Sequence, residues 1–197
     1  YFRKQMELLT SAGFDALGIG SMEEPGFLRE AGIELPMYFD QGMYSWNHLA
    51  GAAMERYGAD RLTIPVELNE REIRDSGVQG EMIVYGYLPM MISAQCIRKT
   101  TLGCSGKSEI MWLKDRKDMR FPVVNQCRFC YNTIYNSAPL SLLGLSEQVT
   151  GLKPNAVRLN FTVEEPAAAG EILDAFFEEY ALGEKAAEPS VLKNQFT

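Results

Sequence analysis

Short apolar runs alternate with helix-forming stretches between residues 15 and 86, and no other feature of this chain restricts its fold as much. The runs are Asp15-Ala16-Leu17-Gly18-Ile19-Gly20, Leu35-Pro36-Met37-Tyr38-Phe39-Asp40, Arg61-Leu62-Thr63-Ile64-Pro65-Val66 and Glu81-Met82-Ile83-Val84-Tyr85-Gly86. Helix-favouring residues 21–31, 47–57 and 70–75 separate them. Strands joined by connections of this kind pair in parallel through right-handed crossovers, so the chain reads as α/β. A helix over residues 2–12 is expected ahead of the first run. A late βα unit closes the pattern, with a strand over 156–162 and an apolar helix from Pro166 through Ile172, Leu173, Phe176 and Phe177 to Tyr180.

An open sheet and a barrel both accommodate such units. The near-twenty-residue repeat favours the barrel, as do the polar groups Asp40, Asn47, Glu67 and Asn69 just past the strand ends. In a (β/α)8 barrel those positions line the active face. Asp40 and Glu67 are then candidate catalytic carboxylates acting on water, with Asn47 and Asn69 as substrate contacts. Capping of the following helices is the plainer role for Asp40 and Asn69. Five strands in 197 residues do not close eight, so a partial (β/α)8 TIM-barrel-like domain is expected, with a cysteine-bearing, hairpin-containing insertion. Its parts are βα units over 1–95, a four-cysteine lobe over 96–136, a final βα unit over 137–182 and a tail or linker over 183–197.

All four cysteines, Cys96, Cys104, Cys127 and Cys130, fall between residues 86 and 136. Cys-x7-Cys is followed, twenty-two residues later, by Cys-x2-Cys. Two thiols three positions apart grip one metal from a tight turn, and a distant pair completes a tetrahedral shell. Four thiolates suit Zn2+ as a closed structural site or an iron–sulfur cluster as a redox site, and the spacing leaves both open. No apolar run approaches the ~18 residues that span a bilayer, and Tyr1-Phe2-Arg3-Lys4 opens no signal-peptide core. A cytoplasmic protein without a membrane partner is expected, where disulfides are uncommon. Met82, Met90, Met91, Met111 and Met119 read as core filler rather than ligands. Lys114-Asp115-Arg116 is expected to turn a hairpin between Trp112-Leu113 and Phe121-Pro122-Val123-Val124, returning the chain to the second cysteine pair. Arg116 there either pairs with a carboxylate or binds an anionic substrate.

Charge is unevenly spread. Residues 96–130 carry eight Lys and Arg against three Asp and Glu, although the whole chain has a net charge of -7. A basic patch beside thiols suits RNA or another anionic substrate, while the acidic remainder argues against broad phosphate-backbone binding. A solvated basic loop is the bland alternative. His48 is the single histidine and no His-Glu-x-x-His occurs, which removes the common histidine-based protease sites. Neither Gly-x-x-x-x-Gly-Lys-Ser/Thr nor Gly-x-Gly-x-x-Gly is present, so those nucleotide-binding routes are unsupported.

Gly86-Tyr87-Leu88-Pro89-Met90-Met91, Gln95-Cys96, Leu113-Lys114-Asp115-Arg116, Phe121-Pro122-Val123, Cys127 and Ile134-Tyr135-Asn136 together resemble the peptidase U32 family, also called collagenase-like proteases. The likeness covers residues 15–136, continues through Arg158-Leu159-Asn160-Phe161-Thr162, and is strongest to the long bacterial members. It implies a (β/α)8-like barrel of which this chain supplies the later strands, with the remainder of the same polypeptide completing it. It also implies an excised domain, since Asn194-Gln195-Phe196-Thr197 looks like a cut in continuing sequence. The family name implies peptidase activity. Several members instead support hydroxylation of RNA bases or ubiquinone precursors and hold a 4Fe-4S cluster on four cysteines, which implies Cys96, Cys104, Cys127 and Cys130 as its ligands here. A non-catalytic, zinc-stabilised module is the remaining expectation.

Overall fold

The structure is a computed structural model that describes residues 5, 8 and 11–193. The helix expected over residues 2–12 lies largely outside the described residues. In chain order the elements are β1 (Leu17–Ile19), α1 (Glu24–Glu30), β2 (Met37–Phe39), a 3-10 turn (Gln41–Met43), α2 (His48–Tyr57), β3 (Arg61–Leu62), α3 (Glu70–Ser76), β4 (Glu81–Gly86) and β5 (Pro89–Ser93). There follow α4 (Ile97–Thr101), β6 (Ile110–Lys114), β7 (Arg120–Gln126), β8 (Tyr131–Tyr135), β9 (Leu140–Ser141), α5 (Ser146–Gly151) and β10 (Ala156–Asn160). The chain ends with α6 (Pro166–Phe176), which runs into a π-helical turn (Phe177–Ala181), and α7 (Ser190–Lys193).

Two units make up the chain, one of Tyr1–Ile83 with Glu147–Arg158 and the other of Val84–Ser146 with Leu159–Thr197. In the first, β1, β2 and β3 pair in parallel in sequence order, and a parallel bridge from Thr63 to Glu81 carries the pattern to the start of β4. Ile19, Leu28, Ile33, Phe39, Met43, Met54, Leu62 and Val78 form its core, one face of the short strands packed against α1 and α2. Asn47 caps α2 by accepting from the backbone N–H groups of Leu49 and Ala50, both at 3.0 Å. Asn69 forms a capping box with Glu72 at the start of α3.

β4 is buried along nearly its whole length, as the unbroken Met82-Ile83-Val84-Tyr85 run requires of a strand covered on both faces. It lies between β10 and β9 and pairs antiparallel with β9, Tyr85 opposite Ser141. Gly86 is needed where it stands, because a Cβ there would lie 2.5 Å from the Asn160 carbonyl oxygen. The second unit also holds a four-stranded antiparallel sheet ordered β5-β8-β7-β6, with β6 and β7 forming the hairpin expected around Lys114-Asp115-Arg116.

The protein is thus mixed α/β with several sheets, and among the described residues its strands do not close into a barrel. β1, β2 and β3 hold only two or three residues each, shorter than the apolar runs that announce them. Pro65, which has no N–H to donate, limits the third. The methionine reading also needs correction. Met82 is buried, but Met90 and Met91 on β5 are 63% and 59% exposed, and Met119 is exposed as well. Within the expected tail, Ser190–Lys193 forms α7, and Glu171 accepts from both the N–H and the hydroxyl of Ser190. No helix among the described residues is long and apolar enough to cross a membrane.

Candidate thiolate centre

The four cysteines lie on three segments of the second unit. Cys96 stands at the N-terminal end of α4. Cys104 follows α4 in an exposed loop, and Cys127 and Cys130 bound the turn from β7 to β8. Cys130 adopts a left-handed backbone (φ 55°), which lets the turn close within four residues. All four thiols are free.

Two buried asparagines anchor these segments. Asn125 on β7 faces Asn132 on β8, and both are almost wholly enclosed. The Asn132 side-chain amide donates to the Gln95 carbonyl at 2.8 Å, fixing the chain just before Cys96. Asn125 accepts from the Glu109 N–H at 2.8 Å and donates its own N–H to the Glu109 carbonyl at 3.1 Å, fixing the chain beyond Cys104. Arg98 of α4 clips to the Glu109 carboxylate at 2.6 Å. That bond, helped by the Ser105 hydroxyl, holds the Glu109 carboxyl below its ordinary range. The Cys127 N–H donates to the Ser108 hydroxyl at 3.2 Å.

Cys127 is half-buried and stands at the start of the turn. Burial pushes its pKa up, and the thiols of Cys104, Cys130 and Cys96 push it further. Among the described residues, no three His, Cys, Asp or Glu side chains form a group able to hold a metal ion.

The carboxylates singled out in the sequence lie in the first unit. Asp40 accepts from the Gln41 N–H at 2.8 Å and pairs with Arg158 at 2.6 Å, and Arg158 also reaches Glu81 at 3.0 Å. Glu67 is exposed on the turn after β3. Asn47 and Asn69 serve as helix caps. His48 is an exposed first residue of α2. Arg116 sits at the tip of the β6–β7 hairpin with no ion pair among the described residues.

Sequence reasoning missed the two asparagine anchors and the role of Arg158. It also missed three phenols gathered near one carboxylate in the second unit. Burial first, and then Glu164, raise the pKa of Tyr85 and Tyr87, while Tyr135 is raised by burial, by Tyr131 and by Glu164. The signal available was Tyr85-Gly86-Tyr87, which places polar tips at the end of a buried strand. A cavity of about 510 Å³ lies elsewhere in the unit, lined in part by Leu143, Glu179 and Leu192. Its buried Glu179 already accepts from the N–H groups of Gly144 and Ser146, at 2.7 and 2.8 Å.

These features define an α/β protein in which a β lobe carries four free thiols on three segments of chain. Residues 1–166 match the family model described as Peptidase family U32, and the chain belongs to that family. No curated protein and no solved structure matches it.

Proposed function

We propose that this chain is the metal-bearing part of a U32-family enzyme, with Cys96, Cys104, Cys127 and Cys130 holding a 4Fe-4S cluster or Zn2+ that supports hydroxylation of RNA bases. The placement of all four free thiols in one unit, on loops tied to one sheet through Asn125 and Asn132, carries the reading. The donor set fits in kind, because thiolates are the ligands of both centres and a bound cation would lower the raised Cys127 thiol. A cluster would supply electron transfer. The chain's own residues position the thiols through Asn125, Asn132 and the Arg98–Glu109 clip, and present cationic side chains around them. The parallel order of β1, β2 and β3 supports the finer fold reading, a partial (β/α)8 barrel completed by further polypeptide.

Cells making the full-length protein provide the test. The reading expects an RNA nucleoside heavier by one oxygen, detected by mass spectrometry, to disappear with Cys127→Ser. An unchanged nucleoside profile contradicts it.

The family's name favours peptidase action as a second reading, with Asp40 and Glu67 acting on water. The Arg158 pairing counts against Asp40 as a free base. Loss of peptide cleavage in Asp40→Asn and Glu67→Gln, with RNA unaffected, would favour this reading.

A further inference from the structure

One face of the four-stranded sheet of the second unit is uncovered along its edge strands, while Pro122 between them is buried, and the register says which side chains share that face. Residues directly opposite one another lie on the same side of a sheet. Ile110 with Val124, Trp112 with Pro122 and Lys114 with Arg120 therefore stand together. Ile92, opposite Thr133, and Tyr131, opposite Gln126, join them. Trp112 is 54% and Ile110 47% exposed on one edge strand, and Ile92 is 71% exposed on the opposite edge strand, with two strands between them.

Cations rim one end. Lys114 pairs with Asp118 at 2.7 Å, and the Asp115 carboxylate accepts from the N–H groups of Lys117 and Met119 at 2.7 and 3.0 Å. Arg116, Lys117 and Arg120 are left without a carboxylate partner among the described residues. At the other end Tyr131 stacks with Phe129 (6.4 Å, 26°), whose ring lies under the Arg128 guanidinium, beside the turn that carries Cys127 and Cys130. Trp112 and Tyr131 are separated by four residues along β7, about 13 Å at the rise of a strand.

Open aromatic rings beside unpaired cations match a single nucleic-acid strand, which offers phosphates to the cations and unstacked bases to the rings. A duplex hides its bases, and an apolar protein partner would leave three cations unmatched. We infer that this face binds single-stranded RNA, laid from the hairpin tip across Trp112 towards the cysteine turn. The inference rests on RNA being the substrate class of the thiolate centre.

Trp46→Phe leaves Trp112 as the sole tryptophan, so its fluorescence reports on this face alone. Titration with a short oligouridylate is expected to quench it, with a log–log salt slope of about -2 for three phosphate contacts on a single strand. Arg116→Ser with Lys117→Ser, both at an exposed tip, should cut that slope to about -0.7 with unchanged melting. Trp112→Leu should weaken binding of a labelled oligouridylate about ten-fold or more by anisotropy. Absence of quenching overturns the inference, as does equal quenching by dextran sulfate or by duplex RNA. A Trp112 signal that follows protein concentration and ignores RNA also overturns it, because a second copy then covers the face. Metal retention without RNA binding removes this face and leaves the thiolate reading; RNA binding by metal-free protein removes the thiolate reading and leaves the face.

Discussion

Asn125 and Asn132 stand opposite each other inside a β-sheet, where an unpaired amide would be costly. Asn125 through its side-chain oxygen and Asn132 through its side-chain N–H are bonded to cysteine-bearing loops, so the sheet fixes where two of the thiols begin. Asn132 Oδ1, by contrast, has no hydrogen-bond partner among the described residues. Removing the Asn132 amide leaves the Gln95 carbonyl without its donor. Asn132→Ala is therefore expected to cost about 1–3 kcal/mol in urea unfolding and to lower metal retention. A stability equal to that of the parent would deny the anchoring role. Neither residue was legible as an anchor, because in Val123-Val124-Asn125-Gln126 an asparagine reads as the solvent-facing half of an alternating strand. Asn69 was legible, since a short polar side chain just ahead of a helix has one common use. The Arg158 contact with Asp40 joins residues 118 apart, and nothing local announces it.

Elements followed the sequence where local chemistry decided them. β4 fills the apolar run over residues 81–86 from end to end, because burial on both faces leaves no alternation to misread. The β6–β7 hairpin forms around its charged turn, which Asp115 closes through backbone N–H groups. β1 to β3 came out short, because an apolar run records burial and says little about how many residues find a partner strand. β5 was hidden for the opposite reason: Met90-Met91-Ile92 reads as core, yet these residues are exposed. Among the helices, α3 depends most visibly on its cap. Asn69→Ala is expected to destabilise the protein by about 1 kcal/mol, with Asn69→Asp close to neutral, as read from thermal or urea unfolding. Equal losses in both variants would contradict the cap's role.

At the scale of the molecule, the -7 net charge conceals a basic thiol lobe in an otherwise acidic chain, and that asymmetry was readable from composition alone. Closure of a barrel was not readable, because apolar runs record burial and not which strand edges pair.

Alkaline stability is also a global property. Burial and then the Glu179 carboxylate push the Tyr180 phenol up to about 12, and Tyr85 rises further still. An unfolded tyrosine ionises near ~10. Folding therefore favours the protonated phenols: their contribution is complete below about pH 10 and is lost as pH rises towards the folded values. Tyrosinate absorbance should show a late group of the nine tyrosines ionising together with unfolding. Ionisation of all nine ahead of any unfolding would contradict this.

The central claim is that four thiols from three segments form one metal centre. Its most direct measurement is iron, zinc and acid-labile sulfide content per chain after anaerobic purification, for the parent and for serine replacements of Cys96, Cys104, Cys127 and Cys130. The account predicts bound metal in the parent and a sharp loss in each replacement. A metal-free parent, or metal content unaffected by Cys127→Ser, would contradict it.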